Sequence, residues 1–298
     1  MKIIDGKKLA SNIRLEVKNK IEKQYINKNK QAPCLACIIV EGNSASEVYV
    51  ASKKKATEEC LMESRIVRLK ETISQKELIN EIEKLNKDDS VSGILLQLPL
   101  PKHLNEDECV NSILPSKDVD SLTYENLGKL FSKKQDIAPC TASGIIKILD
   151  SENIDIQGKK VVVVGRSLLV GKSVASLLEQ KNATVTICHS KTKNLMQETK
   201  HADILIVAIG KPEEITKEYV KKGAVVIDVG INRTENGLKG DVNFDDVKNK
   251  CSFITPVPGG VGPLTVACLM ENTLIFRRLP YGRRARQASA REAWGCFG

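Results

Sequence analysis

Aromatic residues are scarce in this chain, at 4% of 298 residues with a single tryptophan. A core built from such a composition rests on Ile, Val and Leu, the side chains that fill parallel strands buried on both faces. The same scarcity leaves no stacking clusters interleaved with arginine, which weighs against a nucleic-acid surface. No apolar run approaches the roughly 20 residues that cross a bilayer, and the opening MKIIDGKKLA lacks the uninterrupted apolar stretch of a secretory leader. A cytoplasmic protein with no membrane partner is expected. The three histidines, His103, His189 and His201, are too scattered for a metal triad. Of nine cysteines only Cys34 and Cys37 lie close together, in PCLACIIV. Residues three apart on a strand point to opposite faces, so reduced core thiols are expected and no metal is implied.

Charge is abundant but unevenly placed. The formal net charge is +9, yet residues 277–298 hold six Arg, one Glu and no Lys, and removing their +5 leaves +4 for the body. There, 35 Lys and five Arg are mixed with acids in the manner of solvated helix faces. The abrupt switch at LPYGRRARQASAREAWGCFG marks residues 277–298 as a non-native or disordered tail; the alternative is a basic tail for RNA or a membrane.

Length allows two domains, each with its own core. Strand-like and helix-like segments alternate throughout, the pattern of a parallel α/β architecture. Strands are expected near 34–41, 65–69 and 91–96, with helices near 7–29, 46–60, 74–86 and 105–113. A second half begins near Pro139 with a helix from Thr141, continues with strands near 160–164, 183–188, 203–208, 224–228 and 252–254, and closes with a helix from Pro263 to about Arg277. The expected boundaries are 1–138 for an N-terminal α/β domain, 139–262 for a C-terminal Rossmann-type parallel sheet and 263–276 for a last helix.

The most telling stretch is VVVVGRSLLVG at 161–171, where four valines end in a glycine-bounded turn leading into a helix. Such a turn presents backbone N–H groups to a pyrophosphate. The next strand, within NATVTICHS, ends in His189 and Ser190 where an NAD enzyme usually places an acid for the ribose hydroxyls. With Arg166 in the preceding turn, the rim offers a cation and a hydroxyl and no carboxylate, so NADP is favoured over NAD. The alternative is a solvated Arg166.

A second constellation lies in the first half. Tyr49 and Lys53, four apart in SEVYVASK, share a helix face. Gln97 follows the apolar strand of GILLQLPLP, at a carboxyl end where open α/β sheets bind ligands. Lys117-Asp118-Val119-Asp120 puts two carboxylates in a loop.

Together with PCT, VIDVGIN, GDV and ITPVPGGVGPLTVA, these segments closely resemble the methylenetetrahydrofolate dehydrogenase/methenyltetrahydrofolate cyclohydrolase family from the amino terminus to about residue 276. The resemblance implies oxidation of 5,10-methylenetetrahydrofolate by NADP, then hydrolysis of the methenyl product to 10-formyltetrahydrofolate, in a form without the family's formate ligase domain. A monofunctional NAD(P)-dependent dehydrogenase of the same fold is the alternative. By resemblance, Lys53 is the central catalytic group, Tyr49 packs on the folate, Gln97 orients Lys53 and Asp120 anchors the pterin. Gly165, Arg166, Ser167, Ser190 and Ile231 fall to the cofactor, and Pro258, Gly259 and Gly260 to the substrate side; a stiff structural loop is the other reading of 256–263. The last helix is expected to return to the first domain. The family pattern also implies a homodimer and polyglutamylated folates as substrates.

Four positions depart from that pattern. Ser121 stands where glycine is usual, Ala142 and Ser173 replace prolines, and Cys60 replaces a helix-ending glycine. A non-glycine residue at positive φ costs on the order of 1 kcal/mol, so Cys60 is expected to lower stability slightly.

Overall fold

The computed structural model describes residues 1–42, 44–235 and 237–278, with the side chains of residues 44–49 and of Arg278 excepted. Residues 279–298, most of the expected tail, lie outside the described residues, as does the side chain of Tyr49.

In chain order the first half runs β1 (Lys2–Ile3), α1 (Gly6–Gln24), β2 (Cys34–Val40), α2 (Ser44–Glu59), β3 (Glu63–Leu69), α3 (Gln75–Lys87), β4 (Gly93–Leu96), α4 (Glu106–Ser112) and α5 (Tyr124–Phe131). The second runs α6 (Cys140–Ser151), β5 (Lys160–Val164), α7 (Ser173–Gln180), β6 (Thr184–Cys188), α8 (Leu195–Thr199), β7 (Ile204–Val207), β8 (Val225–Asp228), β9 (Asn232–Thr234), β10 (Gly237–Lys239), α9 (Phe244–Val247), β11 (Phe253–Ile254) and α10 (Val261–Arg278). Contacts divide the chain into two compact units, one of Ile13–Ile137 with the residues from Leu269 on, the other of Met1–Asn12 with Ala138–Cys268. The carboxyl-terminal half of α10 thus belongs with the first domain's residues.

The first unit is built on a parallel sheet of order β3-β2-β4. Every residue of β2 is buried, which its unbroken apolar run dictates. Alternation then separates the two cysteines: Cys34, Ala36, Ile38 and Val40 face one core with Leu78, Ile82 and Leu85 of α3, whereas Cys37 points the other way. Helix α3 forms because its apolar residues recur at three and four, and because Ser74 and Glu77 close a capping box in which each side chain accepts the other's backbone N–H.

The second unit carries a six-stranded parallel sheet of order β1-β11-β8-β7-β5-β6. From β5 the chain moves outward to β6, then crosses back past β5 to β7. That reversal opens a crevice beyond the carboxyl ends of β5 and β7, where ligands bind in such sheets. The first residues join this sheet because Lys2 and Ile4 donate backbone N–H groups to Ser252 O and Ile254 O at 2.7 and 2.9 Å. No described helix is long and apolar enough to cross a membrane.

Candidate active site

Lys53 on α2 is half-buried, and its Nζ donates to Gln97 Oε1 at 2.9 Å. The amide is oriented by the protein before any ligand arrives: Gln97 Nε2 donates to Leu98 O at 2.6 Å, and Gln97 N–H continues the strand pairing to Ile38 O at 2.9 Å. With its donor end committed, the side chain turns its carbonyl to the lysine, a bond that either the ammonium or the amine can make. Beneath them sits Cys37. Burial pushes its thiol up to about 11, the Lys53 charge pulls it down and Asp120 pushes it up, so both charged groups stand within electrostatic reach of one buried sulfur.

Asp120 is held by the segment before it. Ile94 N–H donates to Lys117 O at 2.7 Å, and Ile94 bridges Asp118, so the KDVD segment runs alongside β4. Gly93 makes that approach possible, because a Cβ there would lie 2.2 Å from Val119 Cγ1. Asn272 of α10 donates Nδ2 to Val119 O at 2.9 Å from the other side. The two carboxylates of the motif separate in role. Asp118 is buried, accepts Thr123 N–H at 2.8 Å and Asn126 Nδ2 at 3.0 Å, and burial raises its pKa against those bonds. Lys117 is spent on the Leu85 and Asp88 carbonyls at 2.9 and 2.7 Å. Asp120 alone of the three retains partial exposure. Replacing Gly93 with alanine is expected to destabilise the protein by about 1–3 kcal/mol through overpacking and to shift Asp120, because the displaced Val119 precedes it; a denaturant melt checks the loss.

The glycine turn after β5 is closed by the chain itself. Gly165 has φ +130°, and a Cβ there would lie 2.3 Å from Ala208 O; a Cβ on Gly171 would lie 2.2 Å from Gly165 O. The space a side chain would need is therefore filled by backbone. A π-helical turn over Leu168–Lys172 leads into α7 in place of a plain α-helical start, and Ser167 caps it by accepting Val170 N–H at 3.3 Å. Its hydroxyl proton remains a donor. Arg166 and Ser167 are exposed, as is Ser190 beyond the neighbouring β6. The turn at Ser190 is fixed by its flanks: His189 N–H donates to Thr192 Oγ1 at 2.8 Å, and Lys191 N–H to His189 Nδ1 at 3.1 Å.

Ile231, Pro258, Gly259 and Gly260 come together around a cavity of about 140 Å³ that also meets Lys7 and Asp228. Gly6 and Gly260 meet back to back, a Cβ on Gly6 lying 1.9 Å from Gly260 O. The sequence reading missed two buried acids here. Asp228 accepts the N–H groups of Gly230, Asp241 and Val242 at 3.0, 2.9 and 2.9 Å. Asp241 accepts those of Ile209, Gly210 and Lys211 at 2.6, 3.0 and 2.9 Å, and Asn232 Nδ2 at 2.9 Å. In sequence VIDVGIN and GDV stood out only as parts of the family pattern, and nothing in them showed which N–H groups the two carboxylates bind.

Family models match both halves: tetrahydrofolate dehydrogenase/cyclohydrolase, catalytic domain, over residues 4–120, and the corresponding NAD(P)-binding domain over residues 139–279. The bifunctional protein FolD of Acetivibrio thermocellus is 53% identical over 279 residues, spanning 93% of this chain and 97% of its own. The chain belongs to this family. The Listeria innocua FolD is 50% identical, spanning 91% of this chain and 95% of its own. Among solved structures, the bifunctional FolD methylenetetrahydrofolate dehydrogenase/cyclohydrolase of Campylobacter jejuni superposes with a TM-score of 0.91 at 46% identity, covering 93% of this chain and 99% of that one. The Trypanosoma brucei methylenetetrahydrofolate dehydrogenase-cyclohydrolase, complexed with NADP cofactor and inhibitor, gives 0.89 at 36% identity, covering 96% and 98%.

The departures from the family pattern resolve differently from one another. Ser121 does occupy the left-handed region, at φ 58°, fully buried beside Asp120. Cys60 does not, which corrects the expected strain: the left-handed residue is Leu61, also at φ 58°. Met62 N–H reaches back to Thr57 O and Leu61 N–H to Glu58 O, the paired bonds of a Schellman ending, which place Cys60 at the last helical position with ordinary geometry. Its buried Sγ meets Arg14 O at 3.6 Å. Ser173 uses a backbone N–H that proline lacks, donating it to Val170 O. Ala142 is buried within α6.

Proposed function

We infer that this chain is a bifunctional folate enzyme that oxidises 5,10-methylenetetrahydrofolate with NADP and hydrolyses the resulting 5,10-methenyl compound to 10-formyltetrahydrofolate. The observation that carries the reading is the oriented Lys53–Gln97 pair at the carboxyl end of β4, in a chain matched by the family over both halves. Hydride transfer alone has no use for a lysine held in this way, which sets the monofunctional alternative aside.

Domain boundaries of 1–138, 139–262 and 263–276 are part of this reading. The cofactor turn suits NADP: Arg166, Ser167 and Ser190 lie exposed at neighbouring strand ends, and none of residues 165–167 or 189–192 is acidic. Gly165 and Gly171 shape the turn, and Ile231 flanks the nicotinamide half. Bound there, NADP would supply the acceptor for a hydride from the bridging carbon of the substrate. The chain's residues do the rest. Asp120 accepts two N–H bonds from the pterin's amino group and ring nitrogen, fixing the ring, with Tyr49 packed against it, and the family resemblance assigns Pro258, Gly259 and Gly260 to the substrate as well. Oxidation leaves a positive charge over the N–C–N bridge, which makes its carbon open to attack by water. Lys53 Nζ takes a proton from the attacking water as the new C–O bond forms; one C–N bond then breaks as the hydroxyl proton passes to the departing nitrogen and the formyl C=O forms, and Nζ gives its proton up to solvent. Gln97 keeps Nζ aimed throughout.

A spectrophotometric assay with methylenetetrahydrofolate, following methenyl formation and decay with NADP and with NAD, is expected to show both steps and a preference for NADP. Absence of methenyl decay above the uncatalysed rate would leave only the dehydrogenase. Arg166→Gln is expected to lower kcat/KM for NADP by about 10- to 100-fold, the worth of one charge-assisted contact to a phosphate, while changing NAD turnover little. Equal losses with both cofactors would remove Arg166 from 2′-phosphate recognition. A cytoplasmic homodimer acting on polyglutamylated folates completes the reading on the family resemblance.

A further inference from the structure

The acids Asp228 and Asp241 belong to none of the roles assigned above, yet they bind the residues on either side of Ile231, one by its backbone and one by its side chain. Asp228 accepts the N–H of Gly230, and Asp241 accepts the side-chain amide of Asn232, with Ile231 between them. Both carboxylates are buried, whereas Ile231 is 42% exposed and lines the cavity with Pro258 and Gly260. Two glycines are given up to this arrangement: a Cβ on Gly240 would lie 1.8 Å from Asp228 Oδ2, and one on Gly230 2.3 Å from Asp241 Oδ1. An exposed apolar side chain on a loop is ordinarily free to move, and here the residues on both flanks are tied, Gly230 by its backbone and Asn232 by its side-chain amide.

We propose that Asp228 and Asp241 are positioning residues that clamp the backbone around Ile231 and hold that side chain as a fixed wall for the nicotinamide end of the cofactor. The proposal rests on the NADP-dependent reading of the site. Asp241 extends the clamp to the loop after β7, through the N–H groups of residues 209–211. Thr255 adds a further tie, its Oγ1 accepting Asp228 N–H at 2.7 Å.

The clamp works only with a carboxylate. Asp228 Oδ1 accepts two N–H groups and Oδ2 a third, from Val242, so protonating Oδ2 or replacing it with NH₂ sets donor against donor. Burial, with the Asp241 charge adding to it, pushes the Asp228 pKa up to about 7 against the three N–H bonds. Asp241 and, across the cavity, Lys7 are the charged groups that face it. The folded state therefore holds this proton more tightly than the unfolded chain, whose ordinary value is 3.8, and the contribution of this group to stability declines as pH rises from about 4 to about 7. The clamp itself engages in the opposite direction, as the proton leaves.

The test compares wild type, Asp228→Asn and Asn232→Ala, the last removing one tie without touching either acid. Amide hydrogen exchange over residues 229–232, read without cofactor, should be faster in both variants. NADPH titration by fluorescence should give a dissociation constant raised about 10-fold or more in Asp228→Asn, while the cofactor-free cyclohydrolase rate stays within about twofold. Wild-type affinity for NADPH should weaken as pH falls through about 7, and that dependence should vanish in Asp228→Asn. Unchanged exchange in both variants overturns the clamp whatever the enzyme does, and so does a parallel loss of both activities with NADPH affinity intact. A wild type that fails to bind NADPH overturns the functional reading, and the exchange experiment still decides whether the clamp exists.

Discussion

Lys53→Met is expected to lower the cyclohydrolase rate by about 10²- to 10⁴-fold, the usual worth of a positioned general base, and to leave the dehydrogenase within about 10-fold of wild type. Methionine keeps most of the apolar stem of a half-buried side chain and removes only the nitrogen, so loss of packing is a poor explanation for a loss of rate. The geometry sets the asymmetry. Lys53 Nζ bonds to Gln97 Oε1, which the Leu98 carbonyl has already oriented, and hydrolysis requires a proton to be taken from water where hydride transfer does not. In the variant the methenyl compound accumulates after oxidation. Its absorbance, followed in time with substrate and NADP, reports both steps in one trace. A variant that cannot oxidise the substrate yet hydrolyses added methenyl compound at the wild-type rate would place Lys53 in the other half-reaction.

Much of the fold was legible where burial alone decides structure. CLACIIV and VVVVG could be read as buried parallel strands because neither offers a polar face, and both are. Helix α3 falls where a helix was expected at 74–86, and its capping box and three-four spacing are the physical reason. The elements that escaped are those whose stability comes from partners remote in sequence. β1 is two residues long and exists because β11 lies beside it, some 250 positions away. Helix α5 is a short segment begun by Thr123, whose hydroxyl accepts Asn126 N–H, and its buried Leu127 and Leu130 were too few for a period to show. Strands β9 and β10 are three residues each, too short for an alternation to show, and are defined by their pairing with one another.

The candidate site divides along the same line. Lys53, Gln97 and Asp120 could be singled out as polar groups on a helix face, at a strand's carboxyl end and in a loop, and only the family resemblance gave them roles. Residues whose chemistry is spent on the chain itself could not. Asp118 and Asp120 look alike in KDVD, and only burial separates the loop-locking acid from the partly exposed one. Asp228 and Asp241 satisfy backbone N–H groups that no sequence pattern identifies as orphaned. The expected strain at Cys60 fell one residue early, because the phase of a helix ending is set by which carbonyl the chain reaches back to.

Gly165→Ala is expected to separate the two activities in the opposite sense, abolishing NADP binding while hydrolysis survives in whatever fraction stays folded. The glycine sits at φ +130°, in a region that residues with a Cβ occupy at a cost of about 1–3 kcal/mol. Its new methyl group would meet Ala208 O at 2.3 Å, and backbone on the central strand pair β5–β7 has little room to yield, adding a strain of similar size. The turn cannot relax towards the other side either, because the Gly165 carbonyl lies against Gly171 beneath the π-helical turn and its N–H is bound to Cys188 O at 2.8 Å. Relief must therefore move Arg166 and Ser167, the two residues that follow directly. A combined cost of about 2–6 kcal/mol is a large part of a typical domain's stability, so the melting temperature falls as well. The decisive comparison is made below that melting temperature. There, cyclohydrolase turnover per folded molecule should match wild type, since Lys53, Gln97 and Asp120 belong to the other compact unit, while NADPH affinity should drop by about 100-fold or more. A folded variant that binds NADPH as tightly as wild type would show that the turn after β5 does not cradle the cofactor.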